Sequence, residues 1–229
     1  MKLLAIDTST EYCSAALWLN GDVRAERVQA GQAHSALLLP MVDALLAQAG
    51  IHLRELDGIA FSAGPGSFTG LRIACAVTQG LAMGADLPVL GVSTLASIAQ
   101  QTRAARVLTV LDARMSEVYW AAYERMPEGW ECLTEPMLSK PESVTLPDDR
   151  PWIGAGNGLH LLSSMQFSER YPEIMPDAAA IAVLAAPAFA RGEGIDAALA
   201  TPIYLRDKVA LTADERRLKA NTPPLVPAA

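Results

Sequence analysis

Apolar positions fall into short blocks separated by polar and glycine-rich punctuation. Residues 2–6 read as a buried strand that ends at Asp7. Tyr12–Leu19 reads as a second strand, and Asn20-Gly21 supplies the pair that tolerates positive φ in a tight hairpin, with Asp22–Gln29 as the return strand. A helical pattern follows over 35–49 and is stopped by Gly50. Residues 56–62 read as a strand running into Gly64-Pro65-Gly66-Ser67, then a helix over 69–83, then a strand near Val89. Strands alternating with helices predict an α/β sheet with a hairpin at one edge.

The second half opens in the same order. A strand over 106–111 ends at Asp112, a strand over 117–124 meets a turn at 127–129, and 130–133 completes a hairpin. Placing Asp7 on Asp112 superposes strand, Asp, polar turn and hairpin on themselves, so two similar units are expected. They span 1–103 and 104–206, with an extended or disordered tail over 207–229. A short strand at 152–153, the glycine turn 154–158 and an alanine-rich helix over 177–191 belong to the second unit.

Composition narrows the class. With 51% hydrophobic and 19% charged residues among 229, the chain is globular. No apolar run approaches membrane-spanning length, and the start lacks the apolar stretch and cleavage site of a signal peptide, so a cytosolic location is expected. The net charge of −7 argues against a surface that grips a phosphate backbone by itself. Cys13, Cys75 and Cys132 are odd in number and far apart, which predicts buried thiols rather than disulfides.

Two stretches carry candidate chemistry. In Asp7-Thr8-Ser9-Thr10, hydroxyls and backbone amides at a strand end can cradle a phosphate and the carboxylate can organise a metal; equally, Asp7 and Thr10 can satisfy backbone groups of a tight turn. In 62–70, the glycines and the following helix start can receive an anion, but no Lys follows as in a P-loop, and a strand-to-helix corner capped by Ser67 or Thr69 is favoured. His34, His52 and His160 are too scattered for a metal site, so none is expected. Ser67, His34 and Asp7 can be drawn as a hydrolase triad, yet the G-x-S-x-G elbow is missing.

The two long helices carry more apolar surface than one sheet face can cover. The first holds Leu37, Leu38, Leu39, Met41, Val42, Leu45 and Leu46, and the second aligns Gly70, Ala74, Thr78 and Ala82 at four-residue steps beside Ile73, Val77 and Leu81. A partner surface is expected at Leu38, Met41, Val42, Leu45, Gly70, Ala74, Val77 and Leu81.

LAIDTST, GPGSFTGLRIACAVTQGLA, GVSTL and LDARMSEVYWAAY together resemble the bacterial TsaB (YeaZ) family, over nearly the whole chain to Tyr204-Leu205-Arg206. The resemblance implies an actin/Hsp70/sugar-kinase-like (ASKHA) α/β fold of two similar lobes with mixed sheets flanked by helices. It also implies a non-catalytic scaffold or activator in the synthesis of threonylcarbamoyladenosine at position 37 of tRNA. Such a subunit pairs with its paralogue TsaD, is joined by the ATPase TsaE, forms a homodimer when alone, and meets tRNA only through the complex.

TsaD holds its metal with an H-x-x-x-H pair; Thr94 and Ile98 stand where those ligands fall. The first phosphate motif of the fold has Gly where this chain has Ser9, and the second has glycines where this chain has Asp112-Ala113-Arg114. No cofactor is expected. Asp7, Ser9, Thr10, Gly154 and Gly156 are read as a vestigial phosphate site, with weak nucleotide binding at 154–158 left open. A free-standing ATPase or kinase of this fold, and a glycoprotease-like peptidase, are the alternatives.

Overall fold

Two five-stranded sheets of matching topology form in the computed structural model of the chain, which describes residues 1–206; the expected tail over 207–229 lies outside the described residues. The first contains β1 (Lys2–Asp7), β2 (Tyr12–Leu19), β3 (Asp22–Gln29), β4 (Gly58–Gly64) and β5 (Val89–Ser93) in the order β3-β2-β1-β4-β5. The second contains β6 (Arg106–Asp112), β7 (Val118–Met126), β8 (Gly129–Ser139), β9 (Ile153–Ala155) and β10 (Glu169–Tyr171) in the order β10-β9-β6-β7-β8.

In each sheet the central strand ends in Asp, runs antiparallel to the hairpin on one side and parallel to the strand on the other. The repeat offset seen in the sequence is therefore a repeat of sheet topology. The echo was hard to extend past the hairpins because the second lobe is abbreviated: β9 has three residues and a 3-10 turn, Asn157–Leu161, follows it where the first lobe has a long helix.

Helices α1 (His34–Ala49) and α2 (Phe68–Ala85) cover one face of the first sheet. Gly50 in the left-handed region stops α1, and the Ser67 hydroxyl caps α2 by accepting from Gly70 N. Helix α3 (Thr94–Gln101), only eight residues long, carries too few turns to show its period in the sequence. It packs on the second sheet, with Leu95, Ile98 and Ala99 among Val107, Leu111 and Tyr119.

Helix α4 (Ala178–Ala190) crosses the other way. Ala178, Ile181, Ala182 and Ala185 lie on Ala5, Ala16 and Ala60 of the first sheet. Small residues on both sides allow this close approach, which explains the alanine-rich composition. The expected division at 103/104 thus does not follow packing, since each of these helices covers the other lobe's sheet.

Strand β8 extends six residues past the expected 130–133, because bulges opposite Trp120–Tyr123 break the alternation that marks a strand. Cys13 and Cys75 are buried, as expected, whereas Cys132 is exposed on this edge strand. Among the described residues no helix is long and apolar enough to cross a membrane.

Candidate functional site

The two strand-end aspartates face the region between the lobes and do the same local job. Asp7 Oδ1 accepts from Ser9 N at 2.9 Å, and Asp112 Oδ1 accepts from Arg114 N at 2.7 Å. Each carboxylate thereby closes the turn that follows its own strand, which is the backbone-satisfying role left open in the sequence. Between the turns lies a cleft of about 820 Å³, lined by Ser9, Thr10, Gly66, Ser67, Asp112, Asn157 and others.

Asp7 itself is sealed from this cleft. Its residue is fully buried, and Oδ2 has no hydrogen-bond partner, nor do the buried hydroxyls of Ser9 and Ser62. Burial pushes the Asp7 carboxyl up from its usual range. The Ser9 and Ser62 hydroxyls stand close enough to oppose this in part, though outside hydrogen-bonding geometry.

The folded state therefore favours the protonated acid. Stability contributed at this site is greatest below the unfolded value of 3.8 and falls as pH rises toward the higher folded value. Asp7→Asn, which keeps the shape but carries no charge for burial to disfavour, is expected to raise stability at pH 7 by about 1–3 kcal/mol. Its advantage over the parent should shrink on acidification to pH 4. Paired urea titrations at the two pH values measure this; an Asn variant less stable than the parent at pH 7 contradicts it.

The glycine loop closes on the two residues that follow Asp7. Ser67 N donates to Ser9 O at 2.7 Å and Thr8 Oγ1 donates to Gly70 O at 2.7 Å. A Cβ at Gly70 would lie 1.9 Å from Thr8 O, and one at Gly66 would lie 2.6 Å from Ser9 O. The glycines thus admit the chain's own backbone where a ligand was one expectation. Thr94 and Ile98 are likewise spent on structure: Thr94 Oγ1 donates to Pro65 O at 2.5 Å, and Ile98 is buried in the second core.

Of the glycine turn 154–158 of the second lobe, Asn157 lines the cleft but Gly154 and Gly156 do not. A Cβ at Gly154 would meet Leu159 and Phe167, and one at Gly156 would lie 2.2 Å from Val110 O. At Gly154 and Gly156 the missing side chain makes room for the chain's own atoms. Of Asp7, Ser9 and Thr10, only Ser9 and Thr10 line the cleft, and Thr10 O is held by His34 Nε2 at 2.9 Å. No hydrogen bond joins Ser67, His34 and Asp7.

Several cleft residues carried no role in the sequence reading. Tyr204, Leu205 and Arg206 form one wall; Arg72 lies 3.8 Å over the Phe68 ring and donates to Tyr204 Oη at 3.0 Å. The Arg114 side chain is 87% exposed at the lip. The conspicuous motif end at Tyr204-Leu205-Arg206 was the available signal, but nothing local shows that this segment returns to residues more than a hundred positions earlier.

The helical face needs a larger correction. Leu38, Met41, Val42, Leu45, Gly70 and Ala74 are buried against their own sheet, so they cannot meet a partner; Val77 and Leu81 are half-buried. The exposed row of α2 lies on the opposite side: Thr69, Arg72, Ala76, Gly80, Met83 and Gly84, flanked by half-buried Ile73. Nothing stands within 4 Å of a Cβ placed at Gly80 or Gly84. Leu37 and Leu39 are the exposed large apolar residues of α1, at 36% and 44%. Each of these long helices carries one acidic or basic residue besides His34, namely Asp43 and Arg72, so the exposed side is poor in charge.

Residues 28–213 match the family model for TsaD, tRNA N6-adenosine threonylcarbamoyltransferase. The chain is 40% identical to the Escherichia coli K12 tRNA threonylcarbamoyladenosine biosynthesis protein TsaB, covering 92% of this chain and 96% of that one. It is 35% identical to the TsaB of Haemophilus influenzae, covering 91% and 95%. Among solved structures it is similar to YeaZ from Pseudomonas aeruginosa, with TM-score 0.86, 42% identity, and coverage of 89% of this chain and 99% of that one. A second Pseudomonas aeruginosa structure, described as similar to the peptidase YeaZ, gives TM-score 0.87 at 42% identity, covering 90% and 99%.

Proposed function

This chain belongs to the TsaB family of tRNA threonylcarbamoyladenosine biosynthesis proteins, and from that premise we propose that it is the non-catalytic activating subunit of the threonylcarbamoyl-transfer complex. It pairs with a TsaD subunit, supports recruitment of the ATPase TsaE, acts in the cytoplasm, and meets tRNA through the assembly rather than by its own acidic surface. Alone, it pairs with a second copy through the same helical face.

One observation carries the reading. The turn after β1, where this fold class would place a phosphate, is filled by the chain's own glycine loop, with Ser67 N on Ser9 O and the Gly70 position pressed on Thr8 O. A closed turn supports a role exercised by contact. The open, charge-poor row Ala76-Gly80-Gly84 on α2 offers the contact, because small residues let another helix come close.

Reconstitution tests this. The purified chain alone should make no threonylcarbamoyladenosine, and product should form when TsaD, TsaE, ATP, threonylcarbamoyl-adenylate and tRNA are added. Undiminished product without the chain would overturn the activator role. Mg-ATP turnover by the chain alone, lost in Asp7→Ala, would instead establish a free-standing ATPase. Peptide cleavage lost in Ser67→Ala would establish a peptidase.

A further inference from the structure

Residues 200–206 run from one lobe to the other, with 203–206 along one wall of the cleft, and both halves of the segment are tied down. On the first lobe, Ala200 O accepts from Gln79 Nε2 at 3.2 Å and from Cys75 Sγ at 3.4 Å. Ile203 N donates to Ala63 O at 2.7 Å, and Ile203 O occupies the space where a Cβ at Gly64 would stand. Tyr204 lies tilted at 38° against Phe68, with 5.4 Å between ring centroids.

On the second lobe, Leu205 packs against the core around Leu111 and Tyr119. Arg206 then takes hold of the turn between β6 and β7, donating to Ala113 O at 3.1 Å and pairing with Glu117 at 2.7 Å. The two side chains are 16% and 29% exposed, so this pair is better shielded from water than an ordinary surface ion pair.

The turn that Arg206 grips is strained. Arg114, Met115 and Ser116 have φ of 65°, 57° and 59°, three consecutive non-glycine residues in the left-handed region. Each such residue costs roughly 1–2 kcal/mol, and a conformation of this kind persists only where its surroundings over-determine it. The turn is closed from within by Arg114 N on Asp112 Oδ1, Ala113 N on Glu117 O at 3.0 Å and Glu117 N on Arg114 O at 3.1 Å, and Arg206 adds bonds from outside to both of its ends, Ala113 and Glu117.

We infer that residues 200–206 are an inter-lobe clamp that fixes the cleft at one opening, with Arg206 as the latch on the strained β6–β7 turn. The two lobes then move as one body instead of hinging about the cleft. This inference rests on the contacts within the chain and does not depend on the partner reading above.

The test measures the distance between spin labels placed one on each lobe, away from both the gripped turn and helix α2, at Glu11→Cys and His160→Cys, in the full chain carrying Cys132→Ser and diluted with unlabelled chain. The parent should give one narrow distance distribution. Arg206→Ala and, separately, Glu117→Gln should shift that distribution to longer distance and broaden it, while near-ultraviolet circular dichroism shows that each lobe keeps its packing. Arg206→Lys, which keeps the charge but lacks the second guanidinium nitrogen that reaches Met115 Sδ, should give an intermediate distribution. Glu117→Gln keeps the backbone bonds of the turn, so it decides the matter even if Arg206→Ala fails to fold. A distribution in Glu117→Gln as narrow as the parent's, at the same mean distance, would overturn the clamp.

Discussion

Gly80→Arg is expected to abolish pairing while leaving the protein at least as stable as before. Gly80 lies on the exposed side of α2, and nothing stands within 4 Å of a Cβ added there. Replacing a mid-helix glycine removes a backbone-entropy cost, so the folded monomer should gain about 0.5–1 kcal/mol. A long charged side chain in the centre of a close helix contact would in contrast cost about 2–4 kcal/mol, or roughly 30- to 1,000-fold in dissociation constant. The opposed signs separate loss of interface from loss of fold. Size-exclusion of the variant alone, and mixed with TsaD, reads the pairing, and thermal melting reads the fold. Normal pairing by the variant would remove the Ala76-Gly80-Gly84 row from the interface, and with it the contact on which the activator reading depends.

A methyl group ten residues earlier on the same helix should act in the other direction. Gly70→Ala would improve helix propensity, yet its Cβ would lie 1.9 Å from Thr8 O and 3.0 Å from Thr8 C. The neighbour is backbone at the end of the central strand, held there by Thr8 Oγ1 on Gly70 O and by Ser67 N on Ser9 O. Neither side can yield without opening the turn that follows Asp7. A loss of about 3 kcal/mol is expected, at the upper end for overpacking. For a chain of this size that corresponds to a fall of about 6–12 °C in Tm. Gly80→Ala on the same helix serves as the control and should not destabilise. Equal melting of the Gly70→Ala variant and its parent would show that the loop and the strand end are not locked together.

Much of the architecture was legible because it is local. The apolar run before Asp7, the Asn20-Gly21 hairpin, the stop at Gly50 and the Ser67 cap each depend on residues within a few positions, and each stands where the sequence places it. The matching Asp7 and Asp112 pointed to the duplicated sheet for the same reason: a strand, its terminal Asx turn and the next hairpin form one continuous stretch of chain. Even the small-residue character of α2 was visible.

What the sequence left undetermined depended on which surfaces meet. In α2, apolar and small residues occupy nearly every side, so periodicity could not choose between the row Gly70-Ala74-Thr78-Ala82 and the row Ala76-Gly80-Gly84; only packing on β4 buries the first and leaves the second open. A glycine beside a strand end looks the same whether it makes room for a ligand or for Thr8 O, since the difference lies in a neighbour sixty-two residues away. The exchange of α3 and α4 between the lobes, and the return of Arg206 to Glu117, are likewise contacts between distant segments. Local sequence fixes the dihedral angles and polarity of an element, whereas its partner is chosen by how the whole set of apolar faces can be covered at once. That choice became visible only when the chain was folded.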